Sequence, residues 1–262
     1  MKNMSNTMLE LKNVSAGYGG DDVVKDVSIS VQANDSLCII GPNGSGKTTL
    51  LKVIAGLLPY KGSIELNGTP LSRMKQKTIA KKIAYLSQTS GIYFSYSVFE
   101  TVMMGRYAHM SGGFLGSPSS EDADFVMDCL RMVNLTDEKD MEISHLSGGQ
   151  LQRVFLARTL AQQPEIIMLD EPTNHLDLKY QIELIEYLKE WGQGESHTII
   201  GVLHDINLAM RLSDRILLMD NGEIEALGPT CEIISGGRLE SVYKVDVAGF
   251  MRESLKKWDS IN

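Results

Sequence analysis

Nothing in this chain stays apolar for long. No run approaches the ~18–20 residues that a membrane-spanning helix needs, so the sequence offers no transmembrane segment of its own. Its opening stretch, Met1-Lys2-Asn3-Met4-Ser5-Asn6-Thr7-Met8, has no apolar stretch of the kind a secretory signal carries. Both absences predict a chain kept in the cytoplasm, with any membrane role exercised through a partner. Cysteine is sparse: Cys38, Cys129 and Cys231 lie far apart with no C-x-x-C spacing. That pattern argues against a disulfide framework or thiolate metal centre and for buried, reduced thiols. Basic residues are outnumbered, 25 against 33 acidic, for a net charge of −8. This weighs against non-specific binding to nucleic acid or anionic lipid. Internal repeats, long linkers and low-complexity tails are missing too. What remains is 262 residues with 43% hydrophobic content, enough for one domain or one domain with an inserted subdomain. The 14 methionines are scattered, as core filling would scatter them.

Against that plain background one stretch stands out. Gly41-Pro42-Asn43-Gly44-Ser45-Gly46-Lys47-Thr48 matches G-x-x-x-x-G-K-[ST]. An apolar run, Leu37-Cys38-Ile39-Ile40, precedes it as a buried strand would. A helical pattern from Thr48 to Leu58 follows, with Leu50, Leu51, Ile54, Leu57 and Leu58 on one face. In that strand–loop–helix setting glycines let backbone N–H groups close around phosphate oxygens, and the helix start adds positive potential. Lys47 would reach the β- and γ-phosphates and the Thr48 hydroxyl would ligate Mg²⁺. The sequence therefore predicts binding of a nucleoside triphosphate.

Residues 8–32 alternate and read as antiparallel strands. Gly62 to Leu66 followed by Asn67-Gly68, and Arg215 to Asp220 followed by Asn221-Gly222 and Glu223 to Leu227, read as strands turning into hairpins. Short strands are expected at Ile83–Ser87, Ile166–Asp170 and Thr198–Leu203. From about 97 to 160 helical periodicity dominates, broken by a Gly- and Ser-rich loop at 112–120, after which Ser119 or Ser120 would cap a helix from Glu121 to Met132. The expected fold is α/β: a P-loop NTPase core with an N-terminal antiparallel β subdomain and an inserted α-helical subdomain. The core would take about 8–90 and 161–228, the insertion about 91–160, and a short helical segment about 229–262.

A P-loop needs a carboxylate across the site to hold Mg²⁺. Ile166-Ile167-Met168-Leu169-Asp170-Glu171 offers four apolar residues and then two acids, a buried parallel strand ending beside the loop. Asp170 would join the Mg²⁺ shell and Glu171 would polarise an attacking water; the alternative is a strand end with two solvated acids. His204 and Gln88 sit at the ends of two further strands, where either a ligand-facing or a purely structural role is open.

Leu146-Ser147-Gly148-Gly149-Gln150 is the string that marks ATP-binding-cassette ATPases, and here it stands between the P-loop and the Asp170-Glu171 pair, ahead of a helix expected over Gln150 to Ala161. The chain resembles that family over essentially all of residues 8–250, with its motifs in order. By that resemblance Tyr18 stacks on adenine, Gln88 lies at the joint between core and helical subdomain, Asn174-His175-Leu176-Asp177 is the D-loop and His204 the switch histidine. The resemblance implies a nucleotide site of Tyr18, Gly41, Pro42, Asn43, Gly44, Ser45, Gly46, Lys47, Thr48, Thr49, Gln88, Ser147, Gly148, Gly149, Gln150 and Asp177. Thr48, Gln88 and Asp170 would serve Mg²⁺, and Glu171, His204 and Lys47 would serve catalysis. Ser147, Gly148 and Gly149 would present a second phosphate-binding surface, with both glycine N–H groups at a helix N-terminus. In the family two copies pair head to tail and each ATP lies between one copy's P-loop and the other's signature string, so a homodimer or a pair with a related cassette is implied.

Finer features resemble the cassettes of metal-chelate importers, for iron–siderophores, haem or cobalamin: Val102-Met103-Met104-Gly105-Arg106-Tyr107, the His at 175, and His204-Asp205-Ile206-Asn207-Leu208-Ala209. Importers of molybdate or zinc look similar, and split-subunit exporters stay open. No coiled-coil or zinc module separates the motifs, and only one cassette is present, which disfavours the DNA-maintenance and translation-factor members. The resemblance implies membrane permease subunits as partners, an extracytoplasmic substrate-binding protein acting through them, and a place on the inner face of the cell membrane. Tyr93, Phe94, Tyr96 and Phe99 would either form the groove for a permease helix or belong to the subdomain core.

Overall fold

A computed structural model of the chain describes residues 7–87, 95–110, 117–174, 176–235 and 237–259. Gln88, Tyr93, Phe94 and His175, all given roles above, lie outside the described residues. The chain opens with β1 (Thr7–Ala16), β2 (Val24–Gln32) and β3 (Ser36–Ile40), then α1 (Lys47–Ile54). Next come β4 (Lys61–Leu66), β5 (Thr69–Pro70), α2 (Gln76–Lys82) and β6 (Ile83–Ser87). Helices follow: α3 (Val98–Met103), a 3-10 stretch at Met104–Ala108, α4 (Ser120–Met132) and α5 (Gly148–Ala161). β7 (Ile166–Asp170), α6 (Leu178–Gly192), β8 (Thr198–Val202), α7 (Ile206–Leu212), β9 (Arg215–Asp220) and β10 (Glu223–Pro229) complete the strands. The last elements are α8 (Thr230–Ser235), α9 (Arg238–Tyr243) and α10 (Val247–Asp259).

Two sheets result. An antiparallel sheet runs β2-β1-β4-β5, and a second sheet runs β10-β9-β3-β8-β7-β6, parallel except for the β10 edge. The continuous apolar runs that announced β3 and β7, like the apolar stretch within β9, are explained by cover on both faces. Leu37, Ile39, Ile166, Met168, Leu217 and Met219 pack toward the antiparallel sheet and α1. Their neighbours Cys38, Ile40, Ile167, Leu169, Ile216 and Leu218 pack toward the helices. Alternation is thus present in space although both faces are apolar. Between β6 and β7 the described residues form no named strand, and Val126, Leu130, Val154, Phe155 and Leu156 build a helical core continuous with the sheet's lower face.

Both Asn-Gly turns form as two-residue hairpins. Asn67 and Gly68 take φ of 49° and 71°, Asn221 and Gly222 take 48° and 88°, the left-handed pair such turns require. Ser119 caps α4 and exchanges hydrogen bonds with Asp122. The helix after the P-loop corrects the sequence pattern: it ends at Ile54, not Leu58. Gly56 adopts φ 70°, Gly56 N–H donates to Val53 O and Leu57 N–H to Lys52 O, the crossed bonds of a Schellman stop. Leu57, placed in the apolar stripe by periodicity, is exposed. Cys38 and Cys129 are buried, as expected, whereas Cys231 is exposed.

Candidate functional site

The P-loop leaves the C-terminal end of β3 at the centre of the parallel sheet, and α1 begins at Lys47 with Gly46 as N-cap at φ 96°. Lys47 is only 6% exposed. Its Nζ curls back over the loop and donates to Gly41 O at 2.9 Å and Pro42 O at 2.8 Å. Burial pushes its pKa below the usual lysine value, while the charges of Glu171 and Asp170 oppose that shift. A cleft of about 390 Å³ opens here, lined by Val23, Asn43, Gly44, Gly46, Lys47, Thr48, Thr49, Glu171 and His204. Within the loop the Ser45 hydroxyl is buried without a hydrogen-bond partner. The cavity is therefore polar, ringed by loop backbone, and carries one fixed cation, which suits a phosphate chain.

Parallel pairing brings the strand ends into one row. Asp170 lies opposite Val202, and the Glu171 N–H donates to Val202 O at 3.0 Å. The Thr48 hydroxyl donates to Asp170 Oδ1 at 2.7 Å, and the Tyr85 hydroxyl to Asp170 Oδ2 at 2.6 Å. Tyr85 comes from β6, one strand further out. Burial, and then the Asp170 carboxylate, raise its pKa well above the ordinary phenol. Nothing in the sequence marked Tyr85, because its signal is a register match between β6 and β7. Thr48 and Asp170 present hard oxygens side by side, a fit for Mg²⁺ that would complete its shell with phosphate oxygens and water. Among the described residues no cluster of three or more His, Cys, Asp or Glu offers a different metal site.

Glu171 stands in the left-handed region, φ 54°, a conformation that costs a non-glycine residue energy and recurs at functional sites. Its side chain is held from both ends. His204 Nε2 lies 2.6 Å from Oε1, and Asn174 Nδ2 donates to Oε2 at 2.7 Å. His204 reaches this point from two residues past the end of β8. Asn174 was assigned from sequence only to the D-loop; its hold on Glu171 emerges from the turn at 171–174, closed by Asn174 N–H donating to Glu171 O.

Other expected residues lie apart. Ser147 caps α5 through a reciprocal pair with Gln150. Its two glycines differ: Gly148 is exposed with open space around it, while Gly149 is buried beneath the Tyr180 ring. The nucleotide cleft is not lined by Ser147, Gly148, Gly149 or Gln150. Asp177 caps α6, accepting from Tyr180 N–H at 3.1 Å, and is also absent from the cleft lining. Tyr18 is 59% exposed; Thr49 Oγ1 lies 3.5 Å from its hydroxyl, and Lys52 Nζ sits 5.7 Å from its ring centre.

The family profile described as ABC transporter matches residues 24–174. The chain is 36% identical over 241 residues to the petrobactin import ATP-binding protein YclP of Bacillus subtilis, covering 92% of this chain and 94% of that one. It is 35% identical over 239 residues to the iron(3+)-hydroxamate import ATP-binding protein FhuC of the same bacterium, covering 91% and 88%. It spans 56% of the length of that bacterium's uncharacterized ABC transporter ATP-binding protein YvrA, at 36% identity over 95% of its own. Among solved structures, the inward-facing conformation of a putative metal-chelate type ABC transporter superposes with a TM-score of 0.79 at 28% identity, over 92% of this chain and 90% of that one.

Proposed function

The chain belongs to the ABC transporter family as its ATP-hydrolysing cassette, and from that premise we propose that it powers import of a metal chelate such as an iron–siderophore. The observation that carries the catalytic half is the Glu171 carboxylate, fixed between His204 and Asn174 at the mouth of the P-loop cleft. Likeness to petrobactin and iron-hydroxamate import ATP-binding proteins supports the cargo class.

In this proposal the triphosphate lies along residues 41–49, with backbone N–H groups and Lys47 on the β- and γ-phosphates. Lys47 exchanges its two carbonyl partners for phosphate oxygens, anionic acceptors replacing neutral ones. Thr48 and Asp170 would hold Mg²⁺, which would supply neutralisation of charge on the phosphates. Glu171 accepts the proton of the attacking water, and His204 keeps carboxylate and water in line. Tyr85 fixes Asp170 from behind. Tyr18 covers the purine. Because Ser147, Gly148, Gly149 and Gln150 stand apart from the chain's own cleft, they serve the ATP of a second copy. Asp177, engaged at the α6 cap, acts beside that interface.

We assign about 8–90 and 161–228 to the core, about 91–160 to the helical subdomain and about 229–262 to a helical tail. Among the described residues no helix is long and apolar enough to cross a membrane. The chain would sit on the inner face of the membrane through permease subunits, fed from outside by a substrate-binding protein. A groove of about 570 Å³ in the helical layer, with Tyr96, Phe99, Met103, Met104 and Tyr107 on one wall, is the surface offered to a permease helix. The test is capture from detergent-solubilised membranes by tagged protein carrying Glu171→Gln, with ATP and Mg²⁺. Recovery of a polytopic subunit supports the transport role; recovery of ribosomes or DNA-repair proteins without one refutes it.

A further inference from the structure

Gly105-Arg106-Tyr107 carries no chemistry of ATP hydrolysis, yet its centre is one of the few buried charges among the described residues. A Cβ on Gly105 would lie 2.3 Å from Arg158 O, so the 3-10 stretch is pressed directly onto α5. Arg106 is 9% exposed. Its Nε donates to Asp122 Oδ1 at 2.8 Å, and Nη1 donates to Ala161 O at 2.9 Å and Gln163 Oε1 at 2.7 Å. The guanidinium carbon stands 4.9 Å from the Phe125 ring centre. Asp122's other oxygen accepts from Ser119 N–H and Oγ, at 3.1 and 2.9 Å. One guanidinium thus binds three pieces: the 3-10 stretch, the first turn of α4, and the end of α5.

The first two pieces are the two walls of the helical groove, Tyr107 with Met104 on one and Ser119 with Ala123 on the other. The third leads into β7, which ends in Asp170 with Glu171 next in the chain. A parallel tie runs alongside: His109 Nε2 meets Gln162 O at 2.8 Å, and Gln162 Nε2 donates to Ile83 O at 2.8 Å, at the start of the strand that carries Tyr85. Burying an ion pair adds little net stability compared with apolar packing, whereas several directional partners fix one arrangement.

We propose that Arg106 is a positioning residue that sets both groove walls against the end of α5, so that the groove and the nucleotide cleft change together. The proposal rests on the groove being the permease-facing surface argued above. Only a planar fork can hold Asp122, Ala161 and Gln163 at once; a lysine ammonium in the same place keeps the charge and loses the geometry.

Backbone hydrogen exchange tests it in Glu171→Gln protein with and without ATP and Mg²⁺, comparing Arg106, Arg106→Lys and Asp122→Asn. With Arg106, nucleotide should slow exchange at residues 41–49 and also, by about fivefold or more, at 98–108 and 119–126. In both variants the slowing at 41–49 should persist while the groove response falls below about twofold, well under the roughly fivefold at which typical coupling begins. A purely structural role would raise exchange with and without nucleotide alike and leave their ratio unchanged. The proposal is overturned if either variant that keeps slowing at 41–49 also keeps the groove response, or if the groove does not respond with Arg106 present. Loss of slowing at 41–49 in Arg106→Lys alone would mean that variant is misfolded, and Asp122→Asn then decides. No slowing at 41–49 even with Arg106 would refute nucleotide binding instead, and failure to capture a permease would refute the groove's assignment.

Discussion

Lys47 is asked to hold a charge where burial opposes one. Its pKa is lowered by desolvation, with Glu171 and Asp170 pulling the other way, so without ATP the charged form is disfavoured relative to the unfolded chain. The sign follows: below the lowered folded pKa the residue costs stability, and that cost fades as pH rises through it toward the ordinary lysine value. Lys47→Met should therefore bind ATP about 10–100-fold more weakly, the worth of one charged hydrogen-bond set. It should also gain most in melting temperature over the native chain near neutral pH, with the gain shrinking toward pH 10. Titration calorimetry reads the first effect and thermal melting across pH the second. Undiminished ATP affinity would remove Lys47 from the phosphate site. The strained Glu171 belongs to the same scale. Its φ of 54° holds the carboxylate where His204 and Asn174 meet it, an instance of local strain retained for geometry.

Whole elements show why some of this was legible in advance. β3 and β7 appeared in the sequence as unbroken apolar runs because each is covered on both faces, and the residues just past the ends of β7 and β8, Glu171 and His204, fall at the cleft by topology. What stayed hidden depends on contacts between elements. Tyr85 reaches Asp170 only through the β6–β7 register, and Arg106 gains its meaning from Asp122 and Ala161. The stop of α1 at Gly56 was missed because apolar periodicity continues through Leu57 and Leu58. The signature helix α5 makes the same point in a testable form. A Cβ on Gly149 would fall 2.3 Å from the Tyr180 ring, while one on Gly148 meets nothing within 4 Å. Gly149→Ala should cost roughly 1–3 kcal/mol through overpacking. Gly148→Ala should stay within about 0.5 kcal/mol, as a surface change does. Denaturant melts distinguish them, and Tyr180→Ala in the Gly149→Ala background should recover part of the loss. Equal costs at the two glycines would contradict the packing described.

At the scale of the molecule, the chain carries a row of proposed catalytic residues and a capped glycine turn that does not line its own cleft. In the proposed head-to-tail pair, a second copy's Ser147–Gln150 surface would complete the γ-phosphate contacts. A two-fold arrangement that did this once would do it twice, and would place two ATP molecules in one interface. Moving a population from almost wholly open to almost wholly closed takes a preference of about 10⁴-fold; with two nucleotides, each needs to favour the closed form by only about a hundredfold. Hydrolysis removes that preference site by site. Blocking the chemistry while keeping the contacts should therefore arrest the pair: Glu171→Gln preserves the size and the Asn174 contact but removes the proton acceptor. Light scattering should find its mass doubled with ATP and Mg²⁺ and halved again with ADP, and turnover should fall at least about a hundredfold, the lower end of general-base effects. Lys47→Met in the same background should stay single-copy at matched ATP. Ordinary turnover by Glu171→Gln would dismiss it as the base, and a mass that ignores nucleotide would dismiss the shared-site arrangement while leaving the cleft itself intact.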